Sequence, residues 1–388
     1  MMKKTWPVIW LSAGLFPTWV QADVQLYGKI NLAFETIAAK GAKDGRDIES
    51  MQRVTSNLSY IGFRGSEDLG NGLSAIWQVE QDINPDECRQ CGFANRNSYV
   101  GLKGQWGRLL AGRHDIYWTS HIPGMDRRII STGIAGSILS LFGTFGGYAP
   151  RADRPTAPLT GGRAPNVLRY ETPSWYGVSS TLSFSTAEKQ GVSQSDPWAV
   201  QGELDYKDAK LAANVVWLES RDSNGFLGSG YTHYPPSMTV EGTRSRAVKA
   251  VAMYHFGSGT VLGVGFERLE TRFPEGKVSR NAYGVHLGQT LSPAAYMGVH
   301  LGQADDVESH VSGGATTQDT GARFISLIGS YSLSKRTLLF AEYARILNDS
   351  NAAYTFVSTA NLNDSTVGRV AGKGADPRTL MVGINHTF

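Results

Sequence analysis

The feature that most limits what this chain can fold into is an alternation of apolar and polar residues that persists over most of its length. After Asp23 the chain reads VQLYGKINLAFET, with Leu26, Ile30, Leu32 and Phe34 on one side and Tyr27, Lys29, Asn31 and Glu35 on the other. Side chains of an extended strand point alternately to opposite faces, so this period of two predicts a half-buried strand with one charged face. The unit returns as hairpins. Ile61 and Phe63 oppose Tyr60 and Arg64, the turn-forming SEDLGNG follows, and the return strand sets Leu73, Ala75, Trp77 and Val79 against Ser74, Gln78, Glu80 and Asp82. Similar pairs continue to the terminal RTLMVGINHTF.

Two kinds of connection separate these strands. SEDLGN, KGQWG, GSG, SP and SKR are short, whereas 38–50, 83–92, 114–165, 188–197, 222–243, 273–279, 307–320 and 349–376 are long and variable. About sixteen strands, with short turns at one end and long loops at the other, predict an all-β fold: a transmembrane antiparallel barrel. The mean hydropathy of -0.23 does not argue against it, because a barrel wall shows lipid only at every second residue. No window reaches ~18 apolar residues beyond the N-terminus, so no spanning helix is expected. A soluble sandwich would bury its apolar faces against each other. Runs such as Gln78, Glu80 and Asp82, or Arg169 with Glu171, instead suit a water-filled lumen. Aromatics near strand ends (Tyr27, Trp77, Trp106, Trp175, Tyr176, Trp198, Tyr206, Trp217, Tyr254) read as interfacial girdles.

One stretch breaks the pattern. Residues 114–165 are rich in Gly, Pro and Arg, too long for an ordinary connection, and are expected to fold into the tube and set what passes. The stretch holds Asp115, Asp126 and Asp153 against Arg127, Arg128, Arg151, Arg154 and Arg163. Its apolar run IAGSILSLFGTF reads either as a short helix packing the loop on the inner wall or as cover for a subunit contact.

The N-terminus reads as a cleaved export signal over residues 1–22. Lys3 and Lys4 precede an apolar run from Trp6 to Val20, and Val20-Gln21-Ala22 ends in a small residue. The remainder, 23–388, is expected to form one barrel domain. Losing Lys3 and Lys4 lowers the formal charge from +3 to about +1, too little to argue for nucleic acid. Cys88 and Cys91 are the only cysteines. A redox pair would want a thioredoxin-like context and a zinc site two further ligands, so a small loop disulfide is the reading adopted for an exported chain. No metal site or cofactor motif stands out.

VQLYGKINLAFE, IGFRGSEDLGNGLSAIWQVE, NRNSYVGLKGQWGRLLAGR, LRYETPSWYG and the terminal VGINHTF resemble the general porins of Gram-negative bacteria, particularly the proteobacterial, Neisseria-like branch. The resemblance spans the mature chain, strongest in its first third and at its end. It implies a sixteen-stranded homotrimeric barrel in the outer membrane, with the third long loop folded inward as a constriction. It also implies basic wall residues opposite that loop, matched here by Lys29, Arg96, Arg113 and Arg169. Periodicity puts Lys29 and Arg169 on polar faces, but Arg113 alternates with Leu109 and Ala111, so the pattern alone does not place it in the lumen. Tyr60 stands where the family usually has Arg, and the loop carries more Arg than Asp where members often place an acidic cluster. The family's C-terminal aromatic, here Phe388 at the end of the Leu380, Val382, Ile384, His386 alternation, implies recognition by the outer-membrane assembly machinery.

The expected function is passive diffusion of ions and small hydrophilic solutes through a water-filled pore, weakly anion-selective. Rings of Arg or Lys favour anions, with Asp126 the acidic partner of Arg127 and Arg128, and with Tyr60, Arg113, Arg169 and Glu171 around the pore. Outer-membrane lipid and lipopolysaccharide are the expected surroundings. The alternative is a substrate-specific channel for a sugar or an anionic solute, its aromatic track drawn from Trp118, Phe142, Phe145 and Tyr148. A barrel enzyme is disfavoured, because His255, His286, His300 and His386 lie on separate strands without a recognisable nucleophile motif.

Overall fold

The computed structural model describes residues 23–86, 93–117, 131–150, 163–186, 198–222, 242–357 and 370–388. The expected signal segment, Cys88 and Cys91, and Asp126, Arg127 and Arg128 lie outside the described residues.

The alternation becomes one continuous sheet. Its strands are β1 (Asp23–Lys40), β2 (Ile48–Ser56), β3 (Tyr60–Gly70), β4 (Leu73–Asp82), β5 (Ser98–Gly104), β6 (Gly107–Asp115), β7 (Arg163–Glu171), β8 (Val178–Thr186) and β9 (Trp198–Lys207). They continue as β10 (Leu211–Arg221), β11 (Arg244–His255), β12 (Thr260–Phe273), β13 (Gly276–Thr290), β14 (Ala295–Ala304), β15 (Glu308–Ser309), β16 (Ala322–Ser332), β17 (Thr337–Asn348) and β18 (Asp376–Thr387). Every pairing among the described residues is antiparallel, and β1 closes the ring on β18 from Lys29↔Thr387 to Lys40↔Asp376. The wall has sixteen staves, because β2 and β3 both pair with β1 as halves of one strand, and β15 is a two-residue extension beside β13. Closure leaves no sheet edge, which a hydrocarbon environment requires.

Outward residues are apolar and exposed: Val24, Leu26 and Phe34 of β1 are 55%, 51% and 56% accessible, while the inward Asn31 and Glu35 are fully buried. Leaving such a side chain in water forgoes ~1.5–3 kcal/mol relative to burying it, so a wall of them is stable only against lipid. Stacked Trp106 and Tyr170 sit near one end of the belt, and Phe266 with Tyr283 near the other. Tyr27 departs from the expected girdle. It shares the inward face of Lys29, and its hydroxyl donates to Glu80 Oε2 at 3.1 Å.

Strand bounds differ from expectation in two places that matter. The alternation predicts a first strand that ends near Thr36, whereas β1 runs to Lys40 with Ile37 and Ala39 fully buried. The stretch 273–279, read as a long loop, is a tight hairpin in which Phe273 pairs with Gly276. Its polar composition misled because Arg272 and Lys277 are strand residues on the outward face, beyond the apolar belt.

The terminal Phe388 lies against β1. Its N–H donates to the Gly28 carbonyl at 3.1 Å, and Gly28 N–H returns a bond to the Phe388 carbonyl at 3.2 Å. A Cβ at Gly28 would sit 2.5 Å from the Tyr60 carbonyl oxygen and 2.7 Å from the Phe388 ring, so glycine is what allows that close approach.

Candidate functional site

The inward face of the first staves gathers charge around one aromatic ring. Lys29 (β1), Tyr60 (β3) and Arg96, just before β5, meet there. The Arg96 guanidinium stands 4.7 Å from the Tyr60 ring centroid, and Lys29 Nζ is 5.9 Å from it. Arg96 Nη1 donates to Asp82 Oδ1 at 2.6 Å and its Nε pairs with Glu80, so the guanidinium is fixed by two carboxylates of β4. Arg64 covers Tyr27 at 4.9 Å from the side of β3. A cation over a ring face is attracted by the ring quadrupole. Tyr60, where the family expects Arg, therefore serves as a neutral platform between two cations.

A second cluster lines β6 to β9. Arg169 donates from Nε to Glu171 Oε1 at 2.8 Å and from Nη1 to Ser183 Oγ at 3.2 Å, with Glu203 at 3.5 Å. Glu171 also pairs with Arg108. Arg113 does not join this cluster. Its register follows Leu109 and Ala111, which face outward, and its Nε donates to the Asn95 carbonyl at 2.9 Å.

The long stretch is tied at its roots and again in its middle. Asp115 and Arg163, where it leaves and rejoins the wall, form an ion pair at 3.1 Å. Between them, residues 131–150 lie against inward faces on the far side of the barrel. Asn31 Nδ2 donates to the Thr132 carbonyl at 2.9 Å, Ile134 N–H to Asn57 Oδ1 at 3.1 Å, and Gly136 N–H to Glu342 Oε1 at 2.6 Å. The Gly136 carbonyl accepts from Ser326 Oγ and from His300 Nδ1, each at 2.9 Å. Glu267 accepts from Gly143 N–H at 2.7 Å, the Tyr117 hydroxyl at 2.9 Å and Arg280 at 3.0 Å. A Cβ at Gly136 would fall 2.7 Å from Glu342 Cδ, so only glycine brings the backbone this near the carboxylate.

Apolar packing completes the attachment. Ile134, Ile138, Leu141 and Phe142 join Phe324, Phe340, Ala344 and Ile346 in one buried cluster, and Phe145 and Tyr148 join Val278 and Val311 in another. The expected short helix is two 3-10 turns, Ile134–Gly136 and Ile138–Ser140. Phe142, Phe145 and Tyr148 are buried in this packing and offer no aromatic track for a solute, while Trp118 lies outside the described residues.

Sequence reasoning missed the anchors. Glu267, Glu342, Asn57 and His300 receive the stretch, yet none was singled out as its partner. Their one signal is an inward charge or amide set among apolar inward neighbours, as Glu342 is between Phe340 and Ala344. His286 and His300, on adjacent strands, stand in direct register with ring centroids 4.2 Å apart, and His286 Nε2 meets the Tyr296 hydroxyl at 2.7 Å.

The wall clusters nearly balance in charge. Arg96 meets Glu80 and Asp82, Arg108 meets Glu171, and Arg169 meets Glu171 and Glu203, with Lys29 and Arg64 as further cations of the first cluster.

Comparison with known proteins adds the following. A family model described as Gram-negative porin matches residues 11–351. The chain is 30% identical over 248 residues to the major outer membrane protein P.IB of Neisseria gonorrhoeae, a match covering 62% of this chain and 64% of that protein. It is 25% identical to outer membrane porin protein 32 of Delftia acidovorans over the whole of both chains. Among solved structures, an anion-selective porin from Comamonas acidovorans superposes with a TM-score of 0.73 at 23% identity, covering 95% of this chain and all of that one. In-vitro folded OmpT of Vibrio cholerae superposes with a TM-score of 0.63 at 14% identity, covering 95% and 98%. The last two carry the fold alone.

Proposed function

Because the chain belongs to the Gram-negative porin family, we propose that it is an outer-membrane channel for passive diffusion of ions and small hydrophilic solutes, with a preference for anions. The observation that carries the reading is the polarity of the closed wall: charged and amide groups inside, exposed Leu, Val and Phe outside.

We infer that the stretch 114–165 narrows the pore and carries the preference. Wall cations are largely neutralised by wall acids, and Asp115 is taken up by Arg163. What remains on the stretch is Arg127, Arg128, Arg151 and Arg154 against Asp126 and Asp153. A pore of ~10 Å is comparable to the Debye length at physiological salt, so such a surplus acts on every passing ion. Lys29, Tyr60, Arg96, Arg169 and Glu171 form the opposing wall in this reading. The Delftia protein named above, a porin matched over the whole of both chains, supports the channel reading.

Further parts of the proposal concern surroundings. The barrel works as a homotrimer among phospholipid and lipopolysaccharide, and Phe388 presents the last strand to the assembly machinery. The deciding experiment is a reversal potential across a planar bilayer under a salt gradient. Anion preference is the expected sign, and cation preference overturns the selectivity reading. Loss of normal insertion on deleting Phe388 is the expected result for the assembly reading, and unaltered insertion removes it.

A further inference from the structure

The outward face of β10 to β13 carries a charge pattern that the pore does not use. Strand register lines up outward residues in rows. Across β10, β11, β12 and β13 the outermost row is Arg221, Arg244, Arg272 and Lys277, directly paired in that order. The next row is Glu219, Arg246, Glu270 and Ser279, and the third is Trp217, Val248, Arg268 and Asn281. The fourth, Val215, Ala250, Phe266 and Tyr283, is wholly apolar and aromatic. Six residues separate the first row from the fourth, which is ~20 Å along a strand and ~14 Å in height for a strand tilted by ~45°. Arg268 thus stands at the edge of the hydrocarbon, and the outermost row stands in the headgroup layer.

Neighbouring positions on paired strands lie ~4.5–5.5 Å apart, and like charges directly opposite one another are destabilising. Four cations side by side are therefore an arrangement that a bound anion would relieve. The acids below them do so only in part. Glu219 holds Arg244 at 2.6 Å and Arg246 at 3.1 Å, and Glu270 holds Arg272 at 3.2 Å and Lys277 at 3.8 Å. Glu308, at the edge of the band, accepts from Ser279. The acids are covered and the cations are not: the Glu219 side chain is 7% accessible, against 50% for Arg221 and 56% for Arg272. Two of the guanidinia are held by their neighbours on the adjacent strand: Arg221 lies over the ring of its register partner Trp198 at 5.3 Å, and Arg268 donates to Asn281 Oδ1 at 2.9 Å and to Ser279 Oγ at 3.5 Å. Planar forks of this kind match phosphate oxygens.

We propose that this band binds the phosphate groups of a phosphorylated glycolipid of the outer leaflet, whose acyl chains lie on the apolar rows below. The proposal rests on the reading of the chain as an outer-membrane barrel. It assigns to Arg221, Arg244, Arg246, Arg268, Arg272 and Lys277 a role on the outside of the wall, apart from anything that crosses the pore.

The test uses the full folded chain in detergent, titrated with phosphorylated lipid A and with the same lipid stripped of its phosphates, read by tryptophan fluorescence. The phosphorylated form is expected to bind about tenfold more tightly. Arg272→Gln with Lys277→Gln, which leaves the Glu219 cluster intact, is expected to remove most of that difference while single-channel conductance stays at its original value. Equal affinity for the two lipids, or an unchanged ratio in the double variant, overturns the proposal. Inorganic pyrophosphate binding as tightly as the lipid also overturns it, leaving a bare anion site. Should the double variant fail to fold, the comparison of the two lipids on the unaltered chain still decides. Absence of conductance from the unaltered chain would overturn the pore reading by itself. Normal conductance without lipid discrimination would overturn only this inference.

Discussion

Tyr60 keeps two cations in place without adding a third. Its ring lies between Lys29 and Arg96, at 5.9 and 4.7 Å, where a guanidinium would bring like charges together. At ~5 Å and an effective dielectric near 20, each such encounter costs about 3 kcal/mol before solvent and counterions relax it. Tyr60→Arg is therefore expected to raise the anion-to-cation permeability ratio by about twofold and to lower barrel stability. Reversal potential and resistance to urea are the respective measurements. Arg127→Gln combined with Arg128→Gln should move the reversal potential the opposite way, toward no preference. A pair that leaves it unmoved would place the selectivity elsewhere on the wall.

At the scale of elements, the buried segment 131–150 depends on acceptors far away in sequence. Glu342 is 206 residues from the Gly136 N–H it receives. A hydrogen bond to a charged acceptor contributes about 1.5–3 kcal/mol, so Glu342→Ala should loosen this part of the segment and give larger, noisier single-channel currents, while Glu342→Gln should stay close to the original. The outer end offers a pH handle. Asp349, just past β17, has its carboxyl pushed above the ordinary carboxylate range, first by burial and then by Asp306, with Asp319 and Asp376 adding to it and Arg323 opposing. Such a group holds its proton more tightly folded than unfolded, so its contribution to stability falls as pH rises through its titration. Asp349→Asn is expected to raise the apparent melting temperature at neutral pH by about 1–2 °C, and the gain should vanish in acid. Strands were legible wherever the two faces differ sharply, as Leu26 and Phe34 do from Lys29 and Glu35. They were not legible at β2, whose Met51, Gln52, Arg53 and Val54 show little contrast, nor at Arg272 and Lys277, polar because they stand beyond the belt. The attachment of the long segment was unreadable for a different reason: its partners are single wall residues 77 to 206 positions away, some before it and some after.

At the scale of the whole molecule, the proposed selectivity is an effect of net surplus over nearly balanced pairs. Raising salt from 0.1 M to 1 M shortens the Debye length from ~10 Å to ~3 Å, so anion preference should weaken strongly across that range. A preference insensitive to salt would point instead to a specific site for the ion. Sixteen staves and ring closure followed from loop lengths and strand count, since turn chemistry at one end and open-ended loops at the other leave few alternatives. The inner furnishing did not follow, because a lumen tolerates many polar arrangements that share one pattern. That furnishing has a mechanical consequence. A cylinder of hydrogen-bonded staves resists stretching along its strands but ovalises readily under sideways squeeze. Residues 131–150 join β1, β12, β14, β16 and β17 from within, through Asn31, Glu267, His300, Ser326 and Glu342. They act as a strut across part of the bore, so the cross-section keeps its shape when the pressure of the surrounding bilayer changes.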